Sequence, residues 1–247
     1  MLRQHHHRFP AGLPGLILSL LVSLPVTAHA HFMWLVPTSD QKIEDQSVHL
    51  IFSELASVPE ADLLKLVEQV EVRQLAGKQL SDKLPLSNTD DGLLVKTAGS
   101  PSPLFVAEKV FGVRERAGKS FLLQYFAKSY VGHEHPLWPD SGTVPGWKLE
   151  ALPSINGNSA TLHCTWNNHP LPGAEIVVQL DGDSSVEGKT NDNGDFTFSF
   201  EKQYLIAARI KHVEPVGGDL DGKKFEETRH YLTVTFDNPT GTEKPLA

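Results

Sequence analysis

Short runs of alternating apolar and polar residues recur along the chain, at 31–36, 47–52, 69–75, 93–97, 121–127 and 160–166. Four more follow at 175–180, 195–200, 204–213 and 229–236. Successive side chains on a strand point to opposite faces, so this period of two predicts half-buried strands. Gly, Asn, Asp and Pro fill the gaps between runs, as turns require. Only 59–70 repeats with helical spacing: Pro59 suits a first turn, Glu60 and Asp62 follow it, and Leu63, Leu66 and Val67 share a face. The expectation is an all-β protein with one short helix. A Pro- and Gly-rich junction from Pro136 to Pro153 divides it into a β-rich unit over 31–150, which holds the helix, and a second over 151–247.

In the second unit, Pro170-Leu171-Pro172-Gly173-Ala174 leads into the apolar run Glu175–Leu180. Thr190-Asn191-Asp192-Asn193-Gly194-Asp195 reads as a tight turn with positive-φ residues at Asn193 and Gly194, followed by alternating aromatics from Phe196 to Phe200. This half resembles the small prealbumin-like or Cna-B-like β-sandwich, an immunoglobulin-style module. The chain is therefore read as two β-sandwich domains. That resemblance implies a fold and no activity.

The first thirty residues follow a different logic. Arg3 and Arg8 precede a Leu-rich apolar run from Leu13 to Val26, and Ala28-His29-Ala30 is a small-x-small cleavage site. These are the parts of a secretory signal peptide. The run is short for a bilayer span, and no later stretch approaches about 20 apolar residues. A periplasmic or secreted protein cut after Ala30 is expected, with no membrane span in the mature chain. The 22 basic and 30 acidic residues give a net charge of −8, and loss of Arg3 and Arg8 takes the mature form to −10. That charge, with no basic stripe, argues against a nucleic-acid partner. The single Cys164 makes neither an internal disulfide nor a cysteine zinc site; beside Leu162 and Trp166 it reads as a buried, inert thiol.

No Gly-x-Ser-x-Gly elbow, phosphate-cradling Gly loop or His-Glu-x-x-His pair is present, so the chemistry falls to histidine. Cleavage after Ala30 makes His31 the first residue. Its α-amine and ring Nδ1 can then chelate one ion, an arrangement that suits Cu(II). Met33 shares its strand face. In the runs 204–213 and 229–236, alternation places His212 and His230 on the apolar sides, each at the end next to the connection 214–228. An antiparallel register with 212 opposite 230 also aligns Ile210 with Leu232 and Ile206 with Phe236. It brings the two His Cβ atoms within about 4.5–5.5 Å. The expected ligands are His31, His212 and His230, met where the first strand docks beside the last hairpin. The plainer alternative is a pair of satisfied histidines capping a core edge. His133 and His135 form the fallback pair, while His49, His163 and His169 lack partners in sequence. Among Glu214, Asp219, Asp221, Glu226 and Glu227, a carboxylate can serve as acceptor behind such ligands.

Three blocks carry a resemblance to a known family: Ala28-His29-Ala30-His31-Phe32-Met33-Trp34-Leu35, Phe121-Leu122-Leu123-Gln124-Tyr125-Phe126-Ala127-Lys128, and Asp221-Gly222-Lys223-Lys224-Phe225-Glu226-Glu227-Thr228-Arg229-His230-Tyr231. They resemble a bacterial periplasmic family of unknown function associated with nickel and cobalt uptake, the NikM-like proteins. The resemblance implies an exported β-sandwich protein that handles transition metals, with no established reaction. His31 is also similar to the histidine brace of CopC-like copper carriers and lytic polysaccharide monooxygenases, which implies copper. The leading expectation is a periplasmic copper-binding protein that binds, delivers or stores the metal, with a metal transporter or metallochaperone as partner; enzymatic activity is left open by the sequence. The alternatives are a nickel or cobalt uptake accessory protein, a copper-dependent oxidative enzyme and a metal-free extracellular binding module.

Overall fold

The computed structural model describes residues 30–38, 46–97, 104–131, 142–180, 184–201 and 205–237. The cleavage segment before Ala30 and the pair His133 and His135 lie outside them. In chain order the strands are β1 (Phe32–Pro37), β2 (Ser47–Ser53), β3 (Val72–Ala76), β4 (Gln79–Leu80), β5 (Leu86–Thr89), β6 (Gly92–Lys96), β7 (Leu104–Arg116), β8 (Lys119–Tyr130) and β9 (Leu149–Asn156). They continue with β10 (Ser159–Trp166), β11 (His169–Pro170), β12 (Glu175–Gln179), β13 (Ser185–Lys189), β14 (Asp195–Ser199), β15 (Leu205–Glu214), β16 (Gly218–Leu220), β17 (Lys223–Phe225) and β18 (Glu227–Asp237). The fold is all-β, as the alternation requires. The helical spacing after Pro59 yields only a short 3-10 helix, Ala61–Leu66. Among the described residues no helix is long and apolar enough to cross a membrane.

Three layers stack on one another. An eight-stranded sheet, in the order β13-β12-β15-β18-β8-β7-β3-β4, lies in the middle. On one face it carries a four-stranded sheet ordered β1-β2-β6-β5, and on the other the sheet of β9, β10, β11 and β14. One apolar cluster joins the first pair of layers through Phe32, Leu35, Ile51, Phe105, Tyr125 and Ala127. A second joins the other pair through Phe126, Leu162, Phe198, Ile210, Leu232 and Phe236. The division expected at residue 150 falls within β9, and strands from both sides of it enter the middle sheet. The two expected sandwiches therefore share a layer. They meet where β18 pairs parallel to β8, with Tyr231 beside Tyr125 and Thr233 beside Ala127. Parallel pairing needs a long crossover, and the whole of 131–226 supplies it.

β18 is the strand that both outer layers read. Its even residues His230, Leu232, Val234 and Phe236 face the β9–β10–β14 layer, whereas Tyr231, Thr233 and Thr235 face β1. β1 is an edge strand, and its outward carbonyls would be costly to bury unpaired. Hydroxyls from the middle sheet satisfy them in turn. Tyr125 Oη donates to His31 O at 3.0 Å, Thr233 Oγ1 donates to Met33 O at 2.7 Å, and Thr235 Oγ1 donates to Leu35 O. This seam fixes both the register and the face on which the first strand docks.

Charge is also buried. Lys128 Nζ, fully enclosed, donates to Glu150 Oε2 and to Gly142 O at 2.6 Å, while Glu150 Oε1 accepts from Val144 N at 2.5 Å. Burial pushes the lysine down and the glutamate up, against their mutual attraction. Elsewhere Gly194 takes a φ of +79° and sits where a Cβ would meet Cys164 O at 2.4 Å. Asn193, expected to share that conformation, does not; the Asn191 side chain instead accepts from the amides of Asn193 and Asp195, both at 2.9 Å.

Thr233→Val and Thr235→Val each leave a buried β1 carbonyl without its hydroxyl. Each should lower unfolding stability by about 1–3 kcal/mol in urea titrations. Thr161→Val, which removes an exposed bond to Thr197, should change it by less than about 0.5 kcal/mol. Equal effects at all three positions would contradict the seam.

Candidate metal centre

The register of the last two long strands is the one expected from their alternation. In the β15–β18 pairing His212 lies directly opposite His230, with Ile210 against Leu232 and Ile206 against Phe236. The two imidazole centroids are 6.2 Å apart and their planes differ by 23°. Trp166, the last residue of β10, reaches across from the facing sheet. Its ring lies 4.4 Å from that of His212 and 4.8 Å from that of His230, inclined by 48° and 60°. It is held there by the tight turn Asn167-Asn168, whose φ values of 51° and 62° return the chain so that Trp166 pairs with His169. Phe126 closes the opposite flank, 6.3 Å from His230.

A carboxylate and an ammonium complete the surroundings. Glu214, at the end of β15, places Oε2 3.3 Å from His230 Nε2 and accepts from Lys148 Nζ on Oε1 at 3.3 Å. A carboxylate only accepts, so the neutral ring of His230 carries its proton on Nε2 and its lone pair on Nδ1. Nδ1 is buried and has no hydrogen-bond partner. His230 is 3% exposed, and this burial pulls its pKa down to about 4, with Glu214 opposing and His212 and Lys148 reinforcing. Burial likewise lowers His212, against the pull of Glu214. Both rings are thus uncharged at neutral pH, the form in which imidazole donates to a metal. A cavity of about 270 Å³ opens beside His230 but not His212, lined also by Gln124, Phe126, Lys148, Glu214 and Thr228.

His31 is not brought to this pair. The first strand does dock on the last hairpin, but across the face of β18 that carries Tyr231, Thr233 and Thr235, opposite the face of His230. There His31 Nε2 lies 3.1 Å from Glu60 Oε2, and its ring stacks on Phe52 at 6.2 Å. Glu60 is set by the turn into the short helix and also accepts from Glu54 N at 3.2 Å. Met33 is buried in the core. Among the described residues no three His, Cys, Asp or Glu side chains are grouped so as to hold a metal ion. Among the described residues the candidate donors are therefore a histidine pair and, separately, one histidine with a carboxylate behind it.

Three other histidines among the described residues sit elsewhere on the strands. His49 is half-buried on β2, His163 pairs with Asp195 at 2.7 Å on the outer face of β10, and His169 is exposed on β11. Cys164 is buried, and desolvation pushes its thiol up to about 12, where it is neither nucleophile nor ligand. Trp166 and Lys148 at the pair, and Glu60 at His31, were not found by sequence reasoning. No protein-family model matches this chain, and no curated protein matches it.

Acid should weaken the fold through the pair. Unfolded His230 titrates near 6.5 and folded His230 near 4, so between those values the unfolded chain binds the extra proton. Its contribution is fully present above about pH 6.5 and is lost by about pH 4, on the order of 3 kcal/mol. His212 shifts in the same direction, and Glu214 and Lys148 are the charged groups that face the rings. Urea unfolding at pH 7 and pH 4.5 should show a larger loss for the natural protein than for His230→Leu. Equal losses would contradict a buried neutral ring.

Proposed function

We propose that this is an exported, periplasmic transition-metal-binding protein that carries copper on the His212–His230 pair. The observation that carries the reading is the cross-strand pairing itself. Two uncharged imidazoles lie directly opposite each other on paired strands, and one has a buried Nδ1 lone pair aimed at no protein donor. Glu214 stands behind His230 in the carboxylate–histidine arrangement that orients metal-bound imidazoles elsewhere. Imidazole nitrogens without thiolate are donors that copper accepts. A pair of ligands leaves coordination positions open. That suits delivery to a transporter or metallochaperone rather than permanent storage. Export rests on Arg3, Arg8, the apolar run and Ala28-His29-Ala30.

His31 gives a second, separate locus. With Nε2 on Glu60, its Nδ1 is free to chelate together with the α-amine that cleavage after Ala30 creates. A form that keeps residues before His31 should then bind one Cu(II) fewer than the cut form. Equal stoichiometry would remove the terminal amine from the account.

The pair is tested by counting bound copper in the cut protein. His212→Ala and His230→Ala should each weaken one copper equivalent by about 10-fold or more, at least ~1.4 kcal/mol. The double variant should lose that equivalent, while His31→Ala should leave it unchanged. Full retention by the double variant would contradict the reading.

A further inference from the structure

We infer that the His212–His230 pair and Trp166 form one site for the cuprous ion, in which imidazole nitrogens ligate the metal and the indole covers it. The inference rests on the copper reading above and goes further, to the oxidation state and to a third participant. Its starting point is that Trp166 touches both rings of the pair, at 4.4 Å and 4.8 Å, although it comes from a different sheet. Neither imidazole lies flat on the indole, so the three rings are not simply a stack.

Four features select a singly charged, soft ion. The donor set is small and uncharged: no third His, Cys, Asp or Glu joins it among the described residues. Zn(II) takes four ligands and Cu(II) a tetragonal set of nitrogen and oxygen donors, neither of which two imidazoles provide. Burial is the second feature. His230 is 3% exposed and its Nδ1 is enclosed, so an entering ion must shed water there. Desolvation rises steeply with charge, which penalises a divalent ion most.

The third feature is the indole. A cation within about 6 Å of a Trp ring is attracted by the ring's electron density, and Trp is the strongest aromatic in this role. Trp166 already shows that property, since Lys148 Nζ lies 5.5 Å over its ring. That ammonium is the fourth feature: its repulsion acts twice as strongly on a divalent ion as on Cu(I). Glu214 does not offset it as a ligand, because both its oxygens are engaged, one by Lys148 and the other by His230.

The experiment uses the cut protein carrying His31→Ala, so that the N-terminal locus does not contribute. Cu(I) under anaerobic reducing conditions, Cu(II), Zn(II) and Co(II) are titrated against chromophoric chelators, with Trp fluorescence and near-ultraviolet absorption recorded alongside. One equivalent of Cu(I) should bind at least 100-fold more tightly than any divalent ion, with a new absorption band from the indole–metal contact. Trp166→Phe should weaken Cu(I) by about 5- to 30-fold, abolish the band, and leave the weak divalent affinities unchanged. Trp166→Tyr keeps a more electron-rich ring than Phe and should fall between; it serves also if the Phe variant fails to fold. Divalent binding as tight as Cu(I), or Cu(I) binding indifferent to Trp166, would overturn this inference and leave the histidine pair as a metal site. Binding of no ion that depends on His212 and His230 would overturn the metal reading itself.

Discussion

Side chains alternate along Glu227–Asp237, and both outer layers of the protein are built against that alternation. Because β18 lies in the middle of the middle sheet, neither of its faces meets water over most of its length. One face must then be apolar for the β9–β10–β14 layer, and it is, through Leu232, Val234 and Phe236. The other must carry groups that both pack and donate, because an edge strand with open carbonyls lies on it. Thr233 and Thr235 do both. A slip of one residue would exchange the two sets and bury Thr233 and Thr235 in the wrong core, which is why the register is tightly held.

The same constraint separates the chemistry into two places. His230 belongs to the even set and ends up with His212 and Trp166; His31 belongs to a strand docked on the odd set and ends up with Glu60 and Phe52. A sheet's thickness lies between them. The pair stands at the rim of the core where the apolar ladder of β15 and β18 runs out, so its rings are dehydrated without being walled in. The charged side chains nearest them, Lys148 and Glu214, spend their contacts on each other and on the ring nitrogen. That leaves an uncharged pocket floor under a polar lip.

Much of this could be read from residue order. The His212–His230 register was legible because each strand shows a long, unbroken period of two and both must bury the same face. Cys164 was legible as a core residue for the same reason. The face on which β1 docks was not, since alternation within one strand says which side chains share a side but not which layer they meet. Trp166 was missed because its contacts cross between sheets and leave no periodic trace; the Asn167-Asn168 turn was the available signal. β7 was missed because the bulge between Val110 and Gly112 breaks its period in the middle. The boundary at residue 150 followed Pro and Gly content, which marks turns as readily as domain limits, and β9 begins there.

The state of the His230 ring is the point on which the account turns, and long-range proton–nitrogen NMR of the imidazoles reads it directly. In the metal-free protein at neutral pH, His230 should be uncharged with its proton on Nε2. Addition of one equivalent of Cu(I), which is diamagnetic, should move His230 Nδ1 and one nitrogen of His212 together, and leave His49, His163 and His169 in place. A charged His230 ring, or shifts confined to His31, would contradict a metal site built on the paired strands.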